Sequence, residues 1–562
     1  MLPRSPPKQK EAYRLKTNSK KEELLLPEPF HSWFQSKGWR PRPHQLEVLV
    51  KSSLRKPTLL IAPTGAGKTL SGFLPTLVTL ASRAQKQKRP KRQLHTLYIS
   101  PLKALAADVA RNLATPIEEM GLSIRYETRS GDTTTARKQR QKKAPPDILM
   151  TTPEQLALLL SHQEAPTFFE TLDTLILDEL HTLASSKRGD LLALNIARLR
   201  TLAPNHWTVG LSATIARPSE LRAFLVSQPK TKNIIHLADL ILATQGTPPE
   251  IQILEDENSI PWGGHSARYA IPKIYEAIEN HQLTLIFVNT RMQAELIFQE
   301  LWHRNEKGLP IALHHSSLSA EKRQNVEKAM AKGVLKAVVA TSTLELGIDL
   351  GNVDLVINFG APKGSSRLIQ RVGRSNHRLE EASRAILVPA NRFEVLECRA
   401  ALEAAECGEQ DVFLERQGGL DVLAQHVLGM ACQSPFFPQK LYQEVQSALP
   451  YRDLNFSTFN RILDFVSTGG YALRAYEHFA KLKLMEDGRL RLSHPRLAYQ
   501  YRLNAGTIID SPMIKVRLAR HLRKSKTSKA LGGQILGQVE EFFIEQLTHG
   551  DTFVFAGEIL RF

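Results

Sequence analysis

The stretch Ile61–Leu70, "IAPTGAGKTL", decides which fold this chain can form. Apolar residues precede it in "PTLLIA" and follow it in "TLSGFLPTLVTLA", which predicts a buried strand, a loop and a helix in that order. Gly65 and Gly67 allow backbone N–H groups to turn toward phosphate oxygens, and the N-terminus of the helix adds a partial positive charge. The stretch is therefore predicted to be a phosphate-binding loop in which alanine takes the first glycine position.

The side chains of this loop indicate its ligands. Lys68 is expected to contact the β- and γ-phosphates of a nucleotide, and the Thr69 hydroxyl is expected to coordinate Mg²⁺. Thr64, Gly65 and Gly67 complete the predicted ATP-binding loop. A glycine-rich turn with a solvated lysine is the alternative, but strand, loop, Lys-Thr pair and helix all occur in the expected order. ATP and Mg²⁺ are the predicted ligands.

The charge of the chain points to a polyanionic partner. Its 562 residues carry a net charge of +18, and a chain of this length is expected to form several domains. No apolar run reaches the roughly twenty residues that a membrane span needs, so nucleic acid is favoured over a membrane.

The cysteines and the N-terminus predict a reducing compartment. Cys398, Cys407 and Cys432 have no paired spacing and are expected to be reduced, buried thiols. Residues 1–26 form a basic tail that is expected to be disordered and lacks the apolar segment of a signal peptide. We therefore expect a cytoplasmic protein of bacterial type.

Short apolar runs recur in two series, and each run ends in small or polar residues. Such continuous runs are typical of strands buried on both faces of a parallel sheet, whose carboxyl ends bind ligands. Two series predict two sheets. The runs are "TLLIAPTG", "HTLYISPLKAL", "DILMTTPEQL", "TLILDELH" and "TVGLSAT", then "TLIFVNTR", "IALHHSSLS", "KAVVATSTLELGID" and "DLVINFG".

Two charged pairs suggest hydrolysis of the nucleotide. Asp178 and Glu179 end a predicted strand, where the first is expected to hold Mg²⁺ and the second to orient or deprotonate the attacking water. "LIQRVGRSNHR" places Arg371 and Arg374 one turn apart on one face of a predicted helix. Arginines that reach a γ-phosphate across an interface act as arginine fingers, although a solvated basic helix is the alternative.

Taken in order, these motifs resemble those of the superfamily 2 helicases. The set comprises "APTGAGKT", "SPLKALAAD", "TTPEQL", "DELH", "SAT", "IFVNT", "ATSTLELGID" and "QRVGRSNHR". Four segments resemble those of the Lhr-like helicases in their residues, closest to the ligase-associated DEXH-box branch: "DELHTLASSKRG", "PWGGHSARYA", "LHHSSLS" and "LDVLAQHVLGMA". The resemblance extends from about Trp33 to the C-terminus.

The resemblance implies roles for further residues. Gln45 matches an adenine-reading position, and Asn376 departs from the usual glycine next to the finger helix. The residues that match nucleotide-binding and catalytic positions are Gln45, Lys68, Thr69, Asp178, Glu179, Gly347, Asp349, Gln370, Arg371 and Arg374. Those that match positions gripping a single strand are Pro101, Lys103, Thr152, Pro153, Thr290, Arg291 and Thr341. Loops of this kind reach backbone phosphates, so the grip is expected to be independent of base sequence.

The predicted fold is α/β, with two tandem RecA-like parallel-sheet domains, then a winged-helix domain and the start of a β-rich domain. Asp487-Gly488 predicts a hairpin after three helices, although periodicity alone equally allows a plain helical bundle. The expected divisions are the tail 1–26, the RecA-like domains 27–230 and 231–408, the winged-helix domain 409–504, and an incomplete β-rich domain 505–562.

The function implied by the resemblance is an ATP-dependent helicase on single-stranded DNA, with 3′-to-5′ movement and a role in repair. Repair proteins such as a ligase are the expected protein partners. A helicase acting on RNA or on an RNA:DNA hybrid would share every ATP motif, so that alternative stays open. A binding scaffold with little turnover is the second alternative, and the intact catalytic set argues against it. A nuclease or restriction subunit is the third, but it would need a further acidic metal cluster, which the sequence does not show outside Asp178 and Glu179.

Overall fold

The computed structural model describes two parallel-sheet domains with two smaller units attached. Thr64, Gly347 and Asp349 lie outside the described residues, as does the tail up to residue 25. The described residues are 26–63, 65–86, 92–213, 215–229, 234–244, 246–254, 260–264, 267–345, 351–376, 381–409, 411, 416–470, 480–507, 513–518 and 534–562.

The first sheet has seven parallel strands in the order β3-β4-β2-β5-β6-β1-β7. Adjacent residues of one strand enter different cores, since Leu59 packs into one cluster and Leu60 into the other. Both faces of the sheet are therefore buried, as the continuous apolar runs predict. The strands are β1 Thr58–Ile61, β2 Thr96–Ile99, β3 Tyr126–Thr128, β4 Ile148–Thr151, β5 Thr174–Leu177, β6 Trp207–Ser212 and β7 Asp239–Leu242.

Ten helices accompany this sheet within the described residues. They are α1 Phe30–Ser36, α2 Pro43–Ser53, α3 Lys68–Lys86, α4 Lys103–Glu119, α5 Thr135–Lys143, α6 Pro153–Leu160, α7 Ala165–Phe169, α8 Leu180–Ala184, α9 Lys187–Leu202 and α10 Pro218–Phe224.

The second sheet has six parallel strands in the order β10-β11-β9-β12-β13-β8. It is buried on both faces in the same way, because Leu285 and Ile286 of one strand enter different cores. Its strands are β8 Glu250–Ile253, β9 Thr284–Phe287, β10 Ile311–His314, β11 Ala337–Ala340, β12 Leu355–Phe359 and β13 Arg384–Val388. Its helices are α11 Ile271–Asn280, α12 Arg291–His303, α13 Ala320–Ala331, α14 Ser365–Val372 and α15 Arg392–Glu406.

The passage from the first sheet to the second lies later in the chain than residue 230. Strand β7 pairs with β1 and so belongs to the first sheet, whereas β8 pairs with β13 of the second. We therefore propose that the domain boundary lies between Leu242 and Glu250.

The third unit consists of helices and a hairpin, as predicted for a winged helix. Its elements are α16 Leu420–Gln433, α17 Pro438–Gln446, α18 Phe456–Thr468, β14 Leu482–Leu484, β15 Leu490–Leu492 and α19 Arg496–Asn504. Gly488 in the hairpin turn has φ +83°, and the Asp487 carboxylate accepts the Arg489 N–H at 3.0 Å. This turn chemistry is what the Asp-Gly pair predicts.

This unit is fixed to the first domain. Leu423 and Val427 of α16 share one hydrophobic core with Leu191 of α9. The Arg198 guanidinium of α9 donates to Gln433 Oε1 at 2.6 Å and to Glu444 Oε2 at 3.0 Å. Apolar burial and a charged contact therefore hold the two units together.

Replacing Leu423 by alanine is expected to destabilise this junction by about 2–5 kcal/mol, because the side chain is fully buried and its removal leaves a cavity. The midpoint of urea unfolding should fall accordingly. Leu420→Ala on the same helix is the matched control, since Leu420 is 44% exposed and its loss should change the midpoint little. Equal midpoints for the two variants would show that α16 does not secure the junction.

The last unit, here called the C-terminal hairpins, comprises residues 513–518 and 534–562 and packs on the second domain. Leu536, Val539 and Phe555 form its small core. A short helix separates its two hairpins, so the unit is less purely β-rich than predicted. Its elements are β16 Met513–Arg517, β17 Ile535–Glu540, α20 Glu541–Glu545, β18 Thr552–Phe555 and β19 Glu558–Arg561.

The three cysteines are free thiols, but they differ in exposure. Cys398 and Cys432 are buried as predicted, whereas Cys407 is exposed just after α15, so that prediction was wrong for Cys407. Within the ranges given above, the structure contains no helix that is long and apolar enough to cross a membrane.

Candidate active site in the cleft between the two sheets

The predicted phosphate loop joins β1 to α3, which begins at Lys68. Gly65 and Gly67 have φ values of +77° and +72°, a region that glycine occupies without strain. A Cβ atom on Gly67 would lie 3.0 Å from Gln45 Nε2, so a larger residue would displace the glutamine. The loop therefore has the backbone that a phosphate cradle requires.

Helix α2 holds Gln45 against this loop. The Gln45 Oε1 atom accepts the Arg42 N–H at 2.9 Å, which fixes the side chain at the start of the helix. The neighbouring His44 Nε2 lies 2.9 Å from the Ala66 carbonyl oxygen. The structure thus brings Gln45 to the phosphate loop, where an adenine-reading role stays a prediction.

The two acids stand at the carboxyl end of β5, opposite the phosphate loop. Asp178 Oδ2 accepts the Tyr98 hydroxyl at 2.6 Å, and its Oδ1 accepts the Glu179 N–H at 2.8 Å. Glu179 has φ +47°, a conformation that is costly for a residue with a side chain and that is often found at functional sites. Both carboxylates are buried and held in fixed positions.

Lys68 links the loop to both acids. Its ammonium lies 2.5 Å from Glu179 Oε1 and 3.9 Å from Asp178 Oδ1. Burial alone would raise the pKa of Glu179, but Lys68 and the nearby His181 lower it to about 2. Burial raises the pKa of Asp178, and Lys68 opposes that shift. Glu179 is therefore ionised at neutral pH.

Arg374 of the second domain lies within electrostatic range of Lys68 and Glu179. It is 7% exposed, and its buried Nε has no hydrogen-bond partner among the described residues. Burial lowers the pKa of its guanidinium, and the carboxylates of Glu179, Asp108 and Glu345 act against that shift. A buried, incompletely paired guanidinium near Glu179 suits a charge that forms during phosphoryl transfer, and the finger role of Arg374 stays a prediction.

Arg371 has a different environment, and the prediction that the two arginines share one helical face was wrong. Helix α14 ends at Val372, and Arg374 lies in the turn that follows. The Arg371 guanidinium donates to Glu345 Oε1 at 2.7 Å and to Asn358, and it stacks 5.2 Å from the Phe287 ring centroid. These contacts are typical of a residue that supports the site, and a catalytic role for Arg371 stays a prediction.

His181 and Gln370 join the two domains across the cleft. His181 Nε2 lies 2.9 Å from the Gln370 amide, and its Nδ1 lies 3.2 Å from the Ser212 hydroxyl. Burial lowers the pKa of His181 to about 4, so the ring is neutral at pH 7. Sequence reasoning placed Gln370 at the nucleotide but did not assign His181, although it is the last residue of "DELH".

The donor set fits ATP and Mg²⁺. The glycine-lined loop, the Lys68 ammonium and the orphaned Arg374 Nε suit phosphate oxygens. Thr69, in the first turn of α3, and Asp178 supply the oxygen ligands that Mg²⁺ prefers. Thr64, Gly347 and Asp349, also predicted to bind the nucleotide, lie outside the described residues.

The predicted strand-gripping residues follow the carboxyl ends of four strands. Because parallel strands point the same way, each set lies along one edge of its sheet. Lys103 is exposed and pairs with Asp132 at 2.6 Å, and Arg291 pairs with Glu540 at 3.0 Å. Pro101 and Lys103 follow β2, Thr152 and Pro153 follow β4, Thr290 and Arg291 follow β9, and Thr341 follows β11.

Fold and site together define a class of protein. A phosphate loop and two acids of the first parallel-sheet domain face an arginine and a glutamine of the second, the arrangement of a superfamily 2 helicase. Family models agree: DEAD/DEAH box helicase matches residues 42–221, Helicase conserved C-terminal domain matches 269–378, and the winged helix domain of large helicase-related protein matches 409–562. The chain belongs to the Lhr family of these helicases, which confirms the resemblance to the Lhr-like helicases.

Individual relatives match most of this chain. ATP-dependent helicase Lhr-Core protein 2 of Thermococcus barophilus is 36% identical over 96% of this chain and 62% of its own length. Lhr-Core of Methanocaldococcus jannaschii is 34% identical over 98% of this chain and 64% of its own length. The structure of Mycobacterium smegmatis helicase Lhr bound to ssDNA and AMP-PNP has a TM-score of 0.74 at 34% identity, over 86% of this chain and 62% of that one. The chain thus spans less than two thirds of the length of each of these relatives.

Proposed function

We propose that this chain is an ATP-dependent translocase and helicase that acts on single-stranded DNA. The observation that carries the proposal is the composite site, in which buried Arg374 of the second domain lies close enough to Lys68 and Glu179 of the first to interact electrostatically with both. Such a site is complete when the two domains are together, so a cycle of hydrolysis can be coupled to their relative movement.

Each residue of this site has a distinct task. Lys68 donates hydrogen bonds to the β- and γ-phosphate oxygens. Glu179 accepts the proton of the attacking water, since its low pKa keeps it ionised. Arg374 stabilises the charge that spreads over the transferring phosphoryl group. Thr69 and Asp178 would hold Mg²⁺, which neutralises phosphate charge when it is bound.

One observation favours DNA as the strand. The M. smegmatis Lhr structure was determined with ssDNA, at 34% identity to this chain. The predicted gripping residues come from loops of both sheets, which suits a contact to the sugar-phosphate backbone. An RNA strand or an RNA:DNA hybrid is the second candidate, because backbone contacts discriminate weakly between the two.

The finer parts of the proposal come from family resemblance. We propose 3′-to-5′ movement, work in the cytoplasm on nucleoid DNA, and a role in DNA repair with a ligase among the partners. Strand separation on duplexes with a 3′ or a 5′ single-stranded tail tests the direction. Unwinding of the 5′-tailed duplex but not of the 3′-tailed one would show that the chain moves in the 5′-to-3′ direction instead.

The test of the main proposal is the ATPase rate measured with single-stranded DNA, duplex DNA, single-stranded RNA and no nucleic acid. We expect the largest stimulation with single-stranded DNA. Equal rates in all four conditions would mean that hydrolysis is not coupled to a strand. Larger stimulation with RNA would favour the second candidate.

Replacing Gln370 by alanine is expected to lower the DNA-stimulated ATPase rate by about 2- to 10-fold, because one interdomain hydrogen bond of roughly 0.5–1.5 kcal/mol is lost. The rate is measured at saturating ATP and single-stranded DNA. Gln282→Ala, an exposed glutamine of the same domain, is the control. If Gln370→Ala lowers the rate equally in a His181→Ala background, the contact with His181 is not the cause.

A further inference from the structure

The C-terminal hairpins pack against the part of the second domain that is predicted to grip the single-stranded nucleic acid. Strand β17 runs beside the loop after β10, where the Gln538 N–H donates to the Ser317 carbonyl at 2.9 Å and the Ser319 N–H donates to the Leu536 carbonyl at 3.3 Å. Between these bonds, a Cβ atom on Gly537 would lie 2.0 Å from the Ser317 oxygen. The two backbones can approach this closely because residue 537 has no side chain.

A second anchor fixes the hairpins to helix α12. The buried Glu295 carboxylate accepts the N–H groups of Ala556 and Gly557 at 2.6 and 2.7 Å, and it lies 3.0 Å from His315 Nε2. Gly557 has φ +82°, and a Cβ atom there would lie 2.6 Å from Phe298 Cε1. A buried carboxylate satisfied in this way sets the position of the hairpin turn against the helix.

Between these anchors, Glu540 contacts Arg291 at the first position of α12. Arg291 NH1 lies 3.0 Å from Glu540 Oε2 and 3.2 Å from the Ser317 hydroxyl. The guanidinium also lies over the Phe543 ring, 5.2 Å from its centroid. Within the described part of the chain, these hydrogen bonds engage NH1, so Nε and NH2 can donate to a phosphate. The Arg291 side chain is 25% exposed and therefore accessible to a strand.

We propose that Glu540 is a positioning residue for single-strand binding, which holds Arg291 so that its remaining N–H groups meet a backbone phosphate. The proposal rests on the proposed function, in which Arg291 grips the strand. An arginine side chain loses rotamer entropy when it is fixed, and a contact formed before binding removes part of that cost from the binding step. The C-terminal hairpins thereby act on strand affinity from outside the two motor domains.

The opposite effect would follow if Glu540 acted through its charge alone. A carboxylate near a phosphate repels it, so removal of that carboxylate would strengthen binding to DNA. The sign of the change in affinity therefore separates positioning from repulsion.

The experiment compares Glu540→Ala with Glu541→Ala, which removes the same charge from the next, exposed residue. Affinity for a fluorescent single-stranded oligonucleotide and the DNA concentration that half-maximally stimulates ATPase are both measured on the full chain. We expect Glu540→Ala to lower the affinity for the oligonucleotide and to raise the half-maximal DNA concentration, each by about 2- to 10-fold, with the maximal ATPase rate kept. Glu541→Ala should neither lower the affinity nor raise the half-maximal DNA concentration. Tighter binding by Glu540→Ala, or equal weakening by both variants, overturns the proposal.

A double-mutant cycle with Arg291→Ala separates this inference from the function on which it rests. If Arg291→Ala weakens binding and Glu540→Ala adds nothing in that background, Glu540 acts through Arg291. If Glu540→Ala is equally harmful without Arg291, its role is structural and the proposal fails. If Arg291→Ala leaves binding unchanged, Arg291 does not grip the strand, and the proposal fails at that earlier step. Thermal melting of each variant identifies any loss of folding.

Discussion

Replacing Arg374 by alanine is expected to lower the rate constant of ATP hydrolysis by about three powers of ten or more, with a much smaller change in ATP affinity. The reason is that an arginine finger acts on charge that develops during transfer, and such residues contribute about 10³- to 10⁵-fold. In this chain the guanidinium is buried within electrostatic range of Glu179 and has an unpaired Nε within the described residues. Single-turnover hydrolysis and nucleotide binding are measured separately.

Arg367→Ala is the matched control for this prediction. Arg367 lies on the preceding helix α14, is 35% exposed and pairs with Glu345 at 3.0 Å. Its loss removes the same charge from the same segment without removing a group from the cleft. If Arg374→Ala weakens ATP binding as strongly as it slows hydrolysis, Arg374 is a ground-state contact and not a finger.

Replacing Glu179 by glutamine is expected to slow hydrolysis by about two to four powers of ten while ATP still binds. Glutamine has the same shape but cannot accept the proton of the attacking water. ATP affinity should be kept or raised, because Lys68 loses its 2.5 Å partner and is freed for phosphate. The measurement is a single-turnover time course after rapid mixing with ATP.

Glu170→Gln, an exposed glutamate of the same domain, controls for the change of charge. Unchanged turnover in Glu179→Gln would mean that the carboxylate only pairs with Lys68 and takes no part in hydrolysis. Slower turnover with proportionally weaker ATP binding would indicate a disturbed phosphate loop instead.

The central strands of both sheets could be predicted because each is a short apolar run that ends in a motif. The runs containing Leu59, Leu97, Leu149 and Leu175 all form strands whose burial is complete. The edge strands β3 and β8 have no such signal: β8 alternates exposed and partly buried residues, and β3 is partly exposed throughout. Their position follows from pairing with neighbours and not from their own composition.

The candidate site could be predicted where one local motif supplies the chemistry. Lys68, Asp178 and Glu179 lie together as their motifs indicate. The separate roles of Arg371 and Arg374 could not be predicted, because they depend on where α14 ends and on the buried partner Glu345. The contact of Arg291 with Glu540 joins parts of the chain that are distant in sequence, so no local sequence pattern predicts it.

The attachment of the two smaller units to different motor domains sets a limit on how far the cleft can open. Gly506 is tied by two 3.0 Å hydrogen bonds to Gln425 on the first-domain side, and Met513 begins the hairpins on the second-domain side. Six peptide units connect Thr507 to Met513, and a fully extended chain covers roughly 3.3–3.6 Å per residue, or about 20 Å in all. Gly506 and Met513 therefore cannot move much farther apart than this length, which limits the separation of the two sheets while both units stay attached.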